Sequence, residues 1–291
     1  MMIYALTKRH LKLFFRDRLG VFFSLLSPLI MIMLYAFFLG SIQVESLKGT
    51  LPGVGDTLIQ NFVTSWVFAG IIMITTLTTS LAALNVFVED KTSGRFKDFA
   101  VSPIRKSQLI IGYLLSTFIV ALIMSTIVFA ISQCYMQLSG GSMLQAGPML
   151  QAYGITVLLC AVFAALASFI ATFIGSTGAF TSVSVILGTM AGFLAGVYIQ
   201  PGSLSTRVVN VISALPFAQA DSILAMPFTE HTLQVLTTNQ AARDAVAHYF
   251  AIGSVSIGSM TLGTKEIILV FAALIVILVT LGALRLRKKI A

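Results

Sequence analysis

Few residues in this chain could do chemistry, and most of them crowd into one short stretch. From 89 to 104 the sequence reads Glu-Asp-Lys-Thr-Ser-Gly-Arg-Phe-Lys-Asp-Phe-Ala-Val-Ser-Pro-Ile. Glu89 and Asp90 open it, Gly94 permits a turn, and Pro103 ends any helix that forms. Phe96, Phe99 and Val101 make a short apolar face among the charges. A short amphipathic helix of this kind can seat in a groove on a soluble partner and pass on its motion. The same residues also fit a plain charged loop. Elsewhere the chemistry is thin. His10, His231 and His248 are scattered, with no HExxH, GxSxG or paired-carboxylate pattern. Glu230-His231 and Asp244 with His248 sit in a polar stretch that reads as a solvated loop rather than a metal site. Cys134 and Cys160 lack CxxC spacing and read as small apolar side chains. The nearest approach to a phosphate-binding loop, Gly258 to Lys265, places its lysine one position late and follows no strand. No catalytic constellation, metal site or ATP site is therefore expected on this chain.

The elements that must position the 89–104 stretch are set by composition. Of 291 residues, 57% are hydrophobic and 10% are charged, against about 25% charged in a soluble domain. The mean hydropathy is +0.98, so the solvent of this fold is lipid. Apolar runs of roughly 20 residues or more occupy 21–42, 62–86, 108–133, 152–175, 179–199 and 266–284. The expected fold is an all-α polytopic membrane protein of six transmembrane helices in a single domain. Between Ser107 and Thr206 there is no Asp, Glu, Lys, Arg or His. A proton-driven carrier ordinarily keeps an ionisable group in its spans, and these spans have essentially none; sodium coupling through carbonyl and hydroxyl oxygens stays open.

Charge sets the expected orientation. Fourteen of the eighteen Lys and Arg residues fall before span one, between spans two and three, or after span six. With an even span count all three clusters share one side, which the positive-inside rule makes cytoplasmic, with both termini. The same clustering turns the net charge of +8 away from nucleic acid. In 1–20, Ile3, Leu6, Leu11, Phe14 and Phe15 recur at helical spacing among Lys8, Arg9, Lys12 and Arg16. This predicts an amphipathic helix in the membrane interface, its basic groups toward lipid phosphates; the alternative is a simple basic flank. The segment 201–264 is expected to begin with a re-entrant helix, broken by Pro216 and Pro227, and to finish as a polar outer cap.

A translocation path could use the polar groups of span two: Thr75, Thr76, Thr78, Thr79, Ser80 and, toward the inner end, Asn85. Their hydroxyls could equally bond their own helix. Phe62 and Trp66 at its outer end read as path or interfacial-belt residues. Gly188, Gly192 and Gly196 recur every fourth residue and predict close helix packing.

The 89–104 stretch resembles the inner loop of the ABC-2 type permeases, relatives of the daunorubicin-resistance, polysaccharide and teichoic-acid exporters. Glu89, Asp90, Gly94, Ser102-Pro103 and Gly112 match the pattern, whereas Arg95 stands where threonine is usual and Tyr113 where lysine is usual. Leu215-Pro216-Phe217 followed by Asp221 resembles the element before the family's last span. The resemblance implies two six-helix subunits, here a homodimer, in a bacterial cell membrane. It also implies two ABC ATP-binding subunits, carrying ATP and Mg2+, docked on the 89–104 loops, and outward movement of an amphipathic or lipid-like drug, toxin or lipid-linked cargo. Two other classes compete: an ion-coupled secondary carrier, which would transport without any ATPase, and a non-transporting scaffold.

Overall fold

The computed structural model describes residues 2–50, 54–96 and 106–289. The expected residues Phe99, Ser102 and Pro103 lie outside them. The chain begins with α1 (Met2–Arg16), turns at Asp17, and enters α2 (Arg18–Leu34), a π-turn (Tyr35–Leu39) and α3 (Gly40–Thr50). Asp17 caps α2 by accepting a hydrogen bond from the Gly20 amide at 2.9 Å. Next come α4 (Asp56–Thr92), α5 (Lys106–Leu138), α6 (Ala146–Phe173) and α7 (Thr177–Ala195). After α8 (Thr206–Ser213), α9 (Pro216–Leu236) and α10 (Gln240–Tyr249), a hairpin of β1 (Ser254–Ile257) and β2 (Met260–Gly263) leads into α11 (Thr264–Lys289).

Six of these helical stretches are long and apolar enough to cross a membrane: Arg18–Phe38, Asp56–Thr92, Gln108–Leu138, Ala146–Phe173, Thr177–Ala195 and Thr264–Arg285. The chain is thus all-α and polytopic, as its composition demands. α4 is the axis. From Phe62 to Leu77 its residues are buried, and it packs against α5, α9, α6, α7 and α2. Small residues set those approaches: a Cβ on Gly70 would stand 2.5 Å from a Val197 methyl, and one on Gly188 would stand 3.1 Å from the Thr78 methyl. The outward faces of α2, the π-turn after it, α7 and α11 are apolar instead, with Phe22, Phe37, Ile186 and Leu269 exposed, as lipid contact requires.

The segment before the last helix is more ordered than its sequence suggested. α8 and α9 meet at 87°, with Leu215 extended and Pro216 opening α9, as pre-proline sterics and proline's fixed φ favour. Pro227 does not break this helix: α9 runs through it for 21 residues, buried on one side of α4 from Phe217 to Leu233. Tertiary packing overrides the lost hydrogen bond there. The expected polar cap is instead a buried helix followed by α10 and a two-stranded antiparallel hairpin.

The glycine stripe of α7 also divides. Gly188 meets α4. Gly192 lies under the Tyr198 ring, and Gly196 (φ 86°) terminates the helix, its amide reaching back to Gly192 and Phe193. Gly70→Ala should destabilise the fold by about 2 kcal/mol through overpacking, and Val197→Ala should recover part of that loss. Thermal unfolding in detergent checks both; a double variant no more stable than Gly70→Ala would show that this contact does not limit packing.

Candidate functional site

At the end of the bundle where the basic residues gather, α4 finishes with Asp90. The side chain of Asp90 is 0% exposed, and an isolated carboxylate there would cost several kcal/mol. It is not isolated. Arg9 of α1 grips it with both guanidinium nitrogens, Nη1 to Oδ2 at 2.7 Å and Nη2 to Oδ1 at 3.2 Å. Arg95, one turn beyond the end of α4, donates to Oδ1 at 2.8 Å and reaches Glu89 at 3.4 Å. The Tyr113 hydroxyl of α5 donates to Oδ2 at 2.7 Å. Gly94 takes φ 80°, and this left-handed turn folds Arg95 back onto α4. Asp90 holds both Arg9 and Arg95 above their ordinary basicity through these hydrogen bonds.

Aromatic rings close the cluster. His10 stacks on Tyr113 at 3.9 Å with planes 12° apart. Phe87 lies edge-on to Tyr113 at 5.0 Å and to Phe96 at 5.6 Å. Phe96, expected on a free apolar face, therefore packs into the bundle. Burial, helped by the neighbouring Arg9 charge, pushes His10 down to about 4, while Asp90 pulls weakly the other way. Beside the cluster Lys91 donates to the carbonyls of Ala171 (3.2 Å) and Ile174 (2.7 Å), capping α6. Arg285 of α11 covers the Phe173 ring at 3.8 Å. What this arrangement can do is mechanical: one buried anion joins α1, α4, α5 and the turn after α4.

Of the polar positions expected to line a path, most do not face open space. Phe62 and Trp66 are buried against Phe250, at 5.1 and 4.8 Å. Thr75, Thr76 and Thr79 are buried and donate to the carbonyls of Ile71, Met73 and Thr75, so their hydroxyls serve α4 itself. Asn85 is different. With Thr78 and Glu89 it lines a cleft of about 590 Å³ bounded by α1, α2, α4 and α7. Leu215 and Pro216 start α9, and Asp221 is buried one turn along it, its Oδ1 without a hydrogen-bond partner among the described residues. The adjacent Ser222 carbonyl accepts from Gly253, whose own carbonyl accepts from Thr264, the first residue of α11. Asp221 is thus level with the start of α11, away from the middle of the spans. Arg9, His10 and Tyr113 were not singled out by sequence reasoning as site residues; the two departures from the loop pattern, Arg95 and Tyr113, were the available signal.

Two outcomes follow from this geometry. Asp90→Ala should cost about 3 kcal/mol, because two guanidinium groups lose their buried partner. Tyr113→Phe should cost about 2 kcal/mol, and the double variant little more than Asp90→Ala alone, since both remove the same bond. Denaturant unfolding in detergent measures this cycle; simple additivity would show that Tyr113 acts elsewhere. His10 sets a pH dependence. Its folded-state value, about 4, lies below the ordinary 6.5, so the unfolded chain binds the extra proton between these values. Stability is then full above about pH 6.5 and falls toward pH 4, by at most about 1.4 kcal/mol per pH unit. His10→Phe should flatten that window in pH-dependent melting curves; an unchanged slope would mean that other groups set it.

A search of curated proteins found no match to the chain. The sequence profile of the ABC-2 type transporter family does match, over residues 1–224, a range that contains α1, the Asp90 cluster, the first five membrane-crossing helices and the start of α9. That covers well over half of the chain, so this multi-pass membrane protein belongs to the ABC-2 type transporter family, as a permease component and not itself an ATPase.

Proposed function

We propose that the chain is the membrane subunit of an ATP-driven exporter, moving an amphipathic, hydrophobic or lipid-like cargo outward. Its family implies association with an ABC ATP-binding subunit. In this reading two such subunits, carrying ATP and Mg2+, dock on the 89–104 stretches of two permease copies. The basic end faces the cytoplasm with both termini, and α1 lies along the membrane interface.

The observation that supports this reading is the Asp90 cluster. Arg95 sits on the proposed docking stretch and bonds a carboxylate that also holds Arg9 of α1 and Tyr113 of α5. A push on the stretch therefore reaches three helices through one buried carboxylate. Gly94, at φ 80°, supplies a pivot at its start. The phosphate chemistry belongs to the partner; this chain receives the displacement.

Ser93→Cys, in a background where Cys134 and Cys160 are replaced, tests the reading. Ser93 is exposed at the end of α4. A membrane-impermeant maleimide should reach it only from the cytoplasmic side, and a short cross-linker should join it to a co-expressed ABC ATP-binding subunit. Labelling from outside the cell would overturn the orientation and the docking together.

A further inference from the structure

Asp90 and Lys91 are consecutive residues of opposite charge in the last turn of α4, and they serve different sides of the bundle. Neighbouring positions on a helix point about 100° apart. Asp90 turns to α1, α5 and the turn after α4. Lys91 turns to the end of α6, where its ammonium donates to the carbonyls of Ala171 (3.2 Å) and Ile174 (2.7 Å). That helix has no left-handed residue to close it: Ile174, which follows its last turn, is extended (φ −91°, ψ 133°). The last carbonyls of a helix lack partners within it, and a cation placed there also meets the negative end of the helix dipole. A lysine supplied by α6 itself would cap it and do no more. Supplied by α4, the same lysine also ties two helix ends together.

What lies beyond the tie is short. Only residues 174–176 separate α6 from α7, and three residues span at most about 10 Å. Ser176 caps α7, accepting from the Ala179 amide at 3.2 Å. The start of α7 must therefore follow the end of α6, and α7 supplies Thr181, Ser184 and Gly188 to the wall of the cleft. The same end is joined to α11, because Arg285 covers the ring of Phe173, the last residue of α6. We infer that Lys91 is a positioning residue: it carries a displacement of the turn after α4 into α6 and, through the 174–176 turn, into α7 and the cleft wall. The inference rests on the docking reading only for the source of that displacement. Asp90 moves one side of the bundle and Lys91 the other.

Amide hydrogen exchange on the full chain in nanodiscs tests this without any partner. Lys91→Met keeps an unbranched side chain and removes the charge. Exchange of the 168–174 amides should then rise about fivefold, while those of α1, held through Asp90, stay unchanged. Lys91→Arg, which keeps a cation in reach of both carbonyls, should restore protection. A simple cap would do as much, so the deciding readout is transmission. Gly94→Ala displaces the turn, since alanine resists φ 80°. It should raise exchange at 168–174 about threefold when Lys91 is present and add nothing to the Lys91→Met level when it is not. Arg95→Gln frees the turn without changing its backbone preference and should behave in the same way. Additive effects in both pairs, equal rises in α1 and α6, or unchanged exchange at 168–174 in Lys91→Met would overturn the assignment. Because no ATP-binding subunit takes part, such a result would leave the docking reading untouched. A failure of the Ser93→Cys cross-link would likewise leave the exchange result in force.

Discussion

A carboxylate shut away from water must be fully bonded, and that requirement organises one whole end of this molecule. Asp90 meets it only when Arg9, Arg95 and Tyr113 arrive together. Each comes from a different part of the chain, so the position of α1 against α5 and the path of the backbone after α4 are not independent choices. Replacing the cluster with apolar side chains of equal volume need not lower stability. What the ionic version adds is geometry, since a guanidinium fork accepts a carboxylate in one orientation where a methyl group accepts many.

The basic residues gain a second meaning from this. Counted along the sequence, they mark one side of a membrane, and such a count treats them as interchangeable. In the fold they differ. Arg9 and Arg95 neutralise a buried anion, Lys91 caps α6, and Arg285 covers an aromatic ring. Lys8 and Lys12, by contrast, line an open groove on α1 with Arg16. A charge that orients the chain during insertion can thus also fasten the folded bundle, and the two demands fall on the same residues because both need cations at the helix ends.

Much of the architecture was legible because lipid leaves little freedom. A chain so poor in charge must fold its apolar runs as helices, and those runs fall within the observed helices to within a few residues. The threonines of α4 looked like a polar path because composition cannot distinguish a hydroxyl facing a lumen from one bonded to its own helix; the structure puts Thr75, Thr76 and Thr79 in the second class and Asn85 on the cleft. The stripe expected on α1 included Phe15, yet the buried face is Leu6, Thr7, His10 and Phe14, because the helix packs on α5 at Gly112. A local pattern could not name that partner. α9 was hidden for the opposite reason: Pro227 and its polar residues argued against a long helix, and only contact with α4 overrules them.

The two departures in the loop pattern are best understood as one. Where the resembled pattern has threonine and then lysine, this chain has Arg95 and then Tyr113, and both contact the same carboxylate. Taken singly, each substitution disturbs the balance around Asp90: an arginine at 95 adds a cation, and a tyrosine at 113 removes one. In this chain the second cation on Asp90 comes from the turn beyond α4, and α5 contributes a neutral donor. The tyrosine then preserves a donor to Oδ2 without a second charge, and its ring supplies the surface on which His10 stacks. The result is a turn held by its own ion pair rather than one merely lying beside a charged pocket. Displacing that turn must either stretch the Arg95 bond or carry Asp90 with it, and Asp90 carries α1 through Arg9.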